Sequence, residues 1–308
     1  MITRIPFLPH EDMQAKYVFG AMSETYDWGL QTSDVLGVHG TLRGAGITVA
    51  VLDTGIPNHT DLKGNQLQGY NCTDDATGDD KQGHGTHCSG IIAAVENGVG
   101  VVGVAPDAKI VPIKVLGDDG HGAYEFIANG IKQAVAAGVK IISMSLGSSM
   151  EPPDWFHDVV KDAFNKGVIM IAAAGNDGAG VNYPAKYDEV IAVAAVDKDG
   201  HLTSFSSRGD KVDFGAAGVD IYSTYLNQSY ACLSGTSQAC PFIAGCCALL
   251  VSYERSQGRD IADGHAMLAR LAQICDASGR IGSTTKSGDL GFGIPSFANW
   301  PGANTGAK

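Results

Sequence analysis

The chain is poor in the features that would lead to a membrane, a nucleic acid or a disulfide-stapled scaffold. No apolar run among its 308 residues approaches the roughly 20 residues needed to span a bilayer. The longest, Cys246 to Val251 with its flanks, reads as buried helix. Positive charge is scarce. Lys and Arg number 21 against 33 Asp and Glu, a net charge of −12, which disfavours nucleic acids and anionic membranes as partners and favours solubility. Residues 1–20 carry Arg4, Pro6, Pro9, His10, Glu11 and Asp12 and lack the apolar stretch of a secretory signal. Seven cysteines are an odd count, with no CxxC pair and no disulfide-like spacing, so reduced, buried thiols in a cytoplasm are expected. HExxH is absent, and no internal repeat is visible.

What is present describes an ordinary globular chain with a sizeable core, 44% hydrophobic and 18% charged. The length admits one large α/β domain or two smaller ones. Strand-like runs at 47–52, 110–115, 140–145, 168–172 and 190–195 alternate with helical patterns at 84–95, 124–137, 153–166 and 237–252. That alternation predicts stacked βαβ units around a mainly parallel sheet. Asp53, Asn176 and the segment after Ser145 then fall at the C-terminal ends of strands, where such sheets place their sites. No linker or composition break follows residue 28. A single domain over 23–298 is expected, with an N-terminal extension at 1–22 and a flexible tail at 299–308.

Three distant segments each surround one member of a possible catalytic set: V-A-V-L-D-T-G around Asp53, G-H-G-T-H-C-S-G around His84, and L-S-G-T-S-Q-A-C-P around Ser237. A serine hydroxyl is a poor nucleophile at neutral pH and needs an imidazole to take its proton, itself oriented by a carboxylate. Each residue also has a plainer reading. Serine at a helix start is most often an N-cap, Asp53 could cap a strand end, and His84 with His87 could be a zinc pair, although no third ligand is visible. Gly98 to Gly103 formally matches GxGxxG, but it follows a helix and lacks the downstream acidic residue, so the dinucleotide reading is rejected.

With these motifs in the order Asp, His, Ser, the chain resembles the subtilisin family of serine proteases from about Trp28 to about Ile294, most closely the intracellular subtilisins. The resemblance implies a three-layer α/β fold and a serine endopeptidase acting on proteins or peptides. It implies Ser237 as nucleophile, His84 as general base, Asp53 as its orienting group and Asn176, in A-A-A-G-N-D-G, as the oxyanion-hole donor. Substrate would lie between segments 120–124 and 145–147, against Gly120, Gly122, Ser145 and Gly147. Ala173, Gly175 and Asn182 would line the first specificity pocket, and Tyr124, Ile127 and Leu146 an apolar pocket further out. The segment V-E-N-G-V-G-V looks like the family's calcium loop, implying Ca2+ held by carbonyls of Val95, Val99 and Val101, the Asn97 side chain and the Asp61 carboxylate. Glu24 falls near the family's N-terminal ligand.

The chain departs from the family pattern in two places. Many members have Met after the nucleophile and Pro-His later in that helix, where this chain has Gln238 and Pro241-Phe242. Secreted members carry a long folding prosegment, whereas only residues 1–27 precede Trp28 here. In intracellular members an Ile-Pro-aromatic element lies across the active site, and Ile5-Pro6-Phe7 matches it loosely. The expectation is therefore a cytoplasmic, calcium-stabilised zymogen-like endopeptidase, with a homodimer admitted. The rival is a catalytically silent binding protein on the same fold. Cys88, four residues after His84 in the same helix, is expected beneath it as a buried thiol.

Overall fold

A computed structural model describes residues 4–7, 18–19, 23–276, 286, 288–298 and 300. Its centre is a seven-stranded, wholly parallel sheet. In chain order the strands are β1 (Thr48–Asp53), β2 (Tyr70–Asn71), β3 (Lys109–Lys114), β4 (Ile141–Met144), β5 (Ile169–Ala173), β6 (Val190–Val196) and β7 (Phe214–Ala217). Across the sheet they run β7-β6-β5-β4-β1-β3-β2. The helices are α1 (Trp28–Thr32), α2 (His84–Ala93), α3 (Tyr124–Ala136), α4 (Asp154–Asn165), α5 (Thr236–Ser256) and α6 (Gly264–Asp276).

The strands are apolar at nearly every position because both faces of a parallel sheet are covered. Side chains alternate along a strand, so β1 sends Val49 and Val51 into one core and Ala50 and Leu52 into the other. Ile169 and Ile171 against Met170 repeat the division in β5. The first core is filled by residues of α2, α5 and α6, the second by those of α3 and α4. This is the three-layer α/β arrangement that the alternating pattern predicts.

Helix α5 is long and apolar enough, by length and composition, to cross a bilayer. No uninterrupted apolar run suggests this, since polar residues are interspersed. The helix is almost wholly buried against the sheet, as the central helix of a core. It also carries Pro241 in its interior. Proline has no N–H to give the carbonyl four residues earlier, which here belongs to Ser237. That carbonyl instead accepts from Ser145 Oγ at 2.8 Å and from Cys88 Sγ at 3.5 Å.

Outside the central sheet, Ile5–Pro6 pairs antiparallel with His121–Gly122, and Glu24–Thr25 pairs in parallel with Gly100–Val101. The tail departs from expectation at its start. Trp300 is buried against Phe297 and Tyr253, with the Arg270 guanidinium 4.6 Å above its ring. A large indole regains in burial more than the ordering of one residue costs. Residues 301–308 lie outside the described residues, as does most of the 1–22 extension. No disulfide forms among the described residues.

Candidate active site

The three motif residues meet at the C-terminal edge of the sheet. Asp53 ends β1, His84 opens α2, and Ser237 lies in the first turn of α5. Asp53 is fully buried, and its Oδ1 accepts from His84 Nδ1 at 2.8 Å and from Thr54 N at 2.7 Å. Its Oδ2 meets no donor among the described residues, so the bond to the imidazole is the main compensation for a buried negative charge. With Nδ1 as donor, the tautomer leaves His84 Nε2 as a base. Burial alone would lower the pKa of His84, but the Asp53 carboxylate beside it and the adjacent Cys88 raise it well above the ordinary histidine value.

His87 is different. Its Nε2 donates to the carbonyls of Ile221 and Ala231, both at 3.0 Å, and burial pushes its pKa down to about 3. It is a neutral tie between α2 and the following hairpin. The two rings thus serve separate partners, which removes the ground for a shared zinc. Cys88 lies 3.8 Å from His84 Nδ1, and burial raises its pKa, so it stays a protonated thiol.

Ser237 is buried, and its Oγ donates to the carbonyl of Ser145 at 3.4 Å. Among the described residues it makes no hydrogen bond to His84. Resting sites are often loose in this respect and tighten on substrate. Asn176, just past β5, is aimed by Thr236. Its Oδ1 accepts from both Thr236 N and Thr236 Oγ1 at 2.8 Å. The carbonyl end is pinned, so the amino end is turned away from Thr236.

A cavity of about 350 Å³ opens beside Ser237. Of the residues expected to bind substrate, Leu146, Gly147, Ala173, Gly175 and Asn182 line it, together with Asn176. Ser145 is tied to Ser237 through the carbonyl bond above. Gly122 pairs with Ile5, while Gly120 lies just before the paired residues, in a turn. Its N–H closes a turn onto the Gly117 carbonyl, and His121 takes the pairing with Pro6. Tyr124 meets the ring of Phe7 edge-on at 5.3 Å, and Ile127 and Leu146 belong to the same buried cluster as Ile5 and Phe7. The Phe7 carbonyl accepts from Gly147 N at 3.1 Å.

The calcium-loop residues are gathered around Asp61, fully buried in a short 3-10 turn, Thr60–Leu62. Asp61 Oδ1 accepts from Asn97 Nδ2 at 3.1 Å, and Oδ2 accepts from Val101 N at 3.0 Å and Tyr230 OH at 2.9 Å. Glu24 Oε1 accepts from the N–H groups of Asn97 and Gly98. Asn97 thus shows its amino end to Asp61, and its Oδ1 accepts from Val99 N at 3.1 Å. That is opposite to the orientation of a ligand, although a half-turn of the amide reverses it. Among the described residues, neither the Val95 nor the Val99 carbonyl accepts a loop or side-chain hydrogen bond. Gly100 lets the loop close over the carboxylate: at φ +72 its absent Cβ would lie 1.9 Å from Asp61 Oδ2. Among the described residues, this buried carboxylate is contacted only by neutral donors, and a hard cation would supply the missing positive charge.

Sequence reasoning missed two residues beneath the site. Asp80 collects the N–H groups of Gln82, Gly83 and Thr86 and the hydroxyls of Thr54 and Thr86, fixing the turn that presents His84. An Asp just before a helical run is a capping signal and could have revealed it. Lys114, fully buried and paired in register with Asp53, donates to the Thr54 carbonyl and contacts Asp118 at 3.0 Å. Nothing local in the sequence marks it.

The subtilase family profile (peptidase S8) matches residues 44–276. The chain belongs to the subtilase family. It is 43% identical to thermitase of Thermoactinomyces vulgaris over 240 residues, covering 77% of this chain and 84% of thermitase. It is 44% identical to an intracellular serine protease of Paenibacillus polymyxa over 244 residues, 74% of each chain. It is 45% identical to the major intracellular serine protease of Bacillus subtilis over 226 residues, 69% and 70% of the two chains. This subtilase is a serine endopeptidase, a hydrolase of protein or peptide substrates.

Proposed function

We propose that this subtilase cleaves peptide bonds through an acyl-enzyme on Ser237, and the buried Asp53–His84 bond at 2.8 Å carries that reading. A turn of the Ser237 hydroxyl away from the Ser145 carbonyl brings Oγ toward the imidazole. Oγ adds to the scissile carbonyl carbon as His84 Nε2 takes its proton, and Asp53 stabilises the resulting imidazolium. The oxyanion is met by Asn176 Nδ2 and Ser237 N–H, helped by the positive end of α5. His84 then gives its proton to the departing amine, and water repeats the cycle in reverse.

Substrate on this reading runs as an added strand between Gly122 and Gly147. Ala173, Gly175 and Asn182 form the pocket for the residue at the cleaved bond, and Tyr124, Ile127 and Leu146 a second, apolar one. Residues 5–7 already use that backbone edge and that apolar pocket, which supports a restraining role for the extension. Calcium, when bound by Asp61, Asn97 and the carbonyls of Val95, Val99 and Val101, would supply positive charge to a buried carboxylate, a structural contribution. Likeness to two relatives named intracellular supports a cytoplasmic site of action.

The test is labelling with a serine-directed peptidyl phosphonate followed by mapping of the modified residue. Ser237 should carry the label, and Ser237→Ala should lose both label and turnover while keeping its melting curve. A folded protein that neither labels nor cleaves would be the catalytically silent alternative, for which the resting Ser237–Ser145 contact is the one favourable observation.

A further inference from the structure

Arg4 stands just before the residues that use the cleft edge, Ile5 on Gly122, Pro6 on His121 and Phe7 on Gly147 N. Its guanidinium reaches Asp75 Oδ1 at 3.8 Å and Asp119 Oδ2 at 3.7 Å. Each carboxylate is held by the protein through its other oxygen. Asp75 Oδ2 accepts from Asp118 N at 3.0 Å and lies 3.4 Å from the buried Lys114 ammonium. Asp119 Oδ1 accepts from His121 N at 2.9 Å. The Arg4 guanidinium also stands 5.8 Å from the centroid of the buried Phe126 ring, within the range of a cation–π contact. Gly117 leaves room for it: a Cβ there would lie 3.3 and 3.4 Å from the two terminal nitrogens of Arg4. Asp75, Asp118 and Asp119 meet Arg4, Lys81 and Lys114 in ion pairs of 3.0 to 3.8 Å. If Arg4 leaves, one negative charge of this set is left over.

We propose that Asp75, Asp119 and Phe126 form a substrate subsite for a basic side chain. It selects peptides with arginine three residues before the aromatic residue seated against Tyr124, the spacing of Arg4 and Phe7. The proposal rests on the reading that substrate enters as an added strand along the edge used by residues 5–7. Two extended segments that share one edge share its residue spacing, so the extension is a template for what the cleft accepts. Arginine is favoured over lysine because its planar fork can span two carboxylates while stacking on a ring. The site lies away from Ser237, so it contacts ground state and transition state alike and should act on KM, not on kcat. Side chains alternate along a strand. An arginine moved to the place of Ile5 would face the apolar cluster and lose its partners.

The experiment uses the full chain and internally quenched peptides containing Arg-Ile-Ala-Phe, or the same sequence with citrulline, which keeps the shape and removes the charge. It is run at pH 8, above the ordinary histidine range, because His121 Nδ1 also lies 3.6 Å from Asp119 Oδ2. The readout is the ratio of kcat/KM for the two peptides. A tethered segment competing for the cleft divides both values alike, so the ratio does not depend on the extension. Wild type should favour arginine about fivefold, through KM, and about 1 M salt should erase most of that preference. Asp119→Asn keeps an acceptor for His121 N but removes the charge, and should bring the ratio below about twofold. Asp119→Lys should turn the preference toward a peptide with glutamate in the arginine's place. A wild-type ratio near one, or an unchanged ratio in folded Asp119→Asn, would overturn the proposal. Two controls separate this from failure of the underlying reading. If Ser237→Ala still cleaves both peptides, or if replacing their phenylalanine by alanine weakens neither, the reading of the cleft falls and the subsite with it. If cleavage needs both Ser237 and the phenylalanine but ignores the arginine, only the subsite falls.

Discussion

Asp53 and Asp61 are both completely buried carboxylates, yet they are compensated in opposite ways. Asp53 faces one titratable partner, His84, and leaves Oδ2 without a donor. Asp61 has donors on both oxygens, from Asn97, Val101 and Tyr230, none of which can carry a positive charge at neutral pH. Burying a charge without a counter-charge costs several kcal/mol even after relaxation. Burial alone therefore says little about what a buried acid does. On the proposed reading, its partners would couple the first carboxylate to proton transfer and leave the second open to a cation.

The sharpest break of the comparison is Asp53→Asn. An amide in that place cannot hold the Nδ1–H tautomer or stabilise the imidazolium, and turnover should fall about 10⁴-fold with KM little changed. The pH profile carries the sign. His84 must be neutral to act as base, and its pKa stands above the ordinary 6.5 because Asp53 and Cys88 outweigh burial. In wild type kcat/KM should therefore rise with pH along a limb centred above 6.5, and in Asp53→Asn the limb should move down. The same raised pKa contributes stability that is full below the unfolded histidine value and lost as pH rises through the folded one. A wild-type acid limb at or below the ordinary histidine value would break the assignment.

On the other side of the comparison, Asp61→Asn should act on stability. A ligand that binds only the folded chain contributes about 2.7 kcal/mol at a hundredfold excess over its Kd. Chelating calcium should accordingly lower the Tm of wild type by several degrees, and Asp61→Asn should abolish the difference between calcium and chelator. Identical melting curves for wild type in the two conditions would sink the calcium reading. If Asp61→Asn instead removed turnover while keeping calcium-dependent melting, the division of labour between the two acids would be wrong.

How far these roles are legible in the sequence follows from whether a role depends on residue type or on where distant segments return. The parallel sheet was readable because near-continuous apolar strands alternate with helical patterns. Asp53, His84, Asn176 and Ser237 stand out because the chemistry demands those residue types within tight local turns. Lys114 could not be recognised, since burial and the carbonyl of Thr54, just past the end of β1, hold its ammonium only once the strands have paired. The Ser237 hydroxyl turned to Ser145, and Asn97 turned amino-end first to Asp61, are torsional choices with no sequence signature. Trp300 belongs with them: the polar, glycine-containing stretch around it suggests a loose tail, and only the returning Phe297, Tyr253 and Arg270 show that it is anchored.

The smallest expected effect separates the two carboxylates through the extension that passes both. Glu24 lies beside the Asp61 loop, binding the N–H groups of Asn97 and Gly98, while Ile5 and Phe7 sit in the cleft served by Asp53. A chain beginning at Ser23 keeps the first contact and loses the second. The cleft segment is held by the strand pairing with His121–Gly122, by the Phe7 carbonyl on Gly147 N and by the Phe7 ring against Tyr124. Pro6 has no N–H to add to this ladder, so the segment is a weak ligand made effective by its tether, for which local concentrations reach about the millimolar range. Truncation should therefore lower the apparent KM for a short peptide substrate several-fold at nearly constant kcat. Phe7→Ala in the full chain should recover part of that gain, and a synthetic peptide of residues 1–10 should inhibit the truncated form competitively. The calcium dependence of Tm should stay as in the full chain, because Glu24 and the Asp61 loop are retained. An unchanged KM in a folded, calcium-loaded truncated protein would make the extension a passenger on the cleft, and a lost calcium response would mean that the two sites are not separable along this segment.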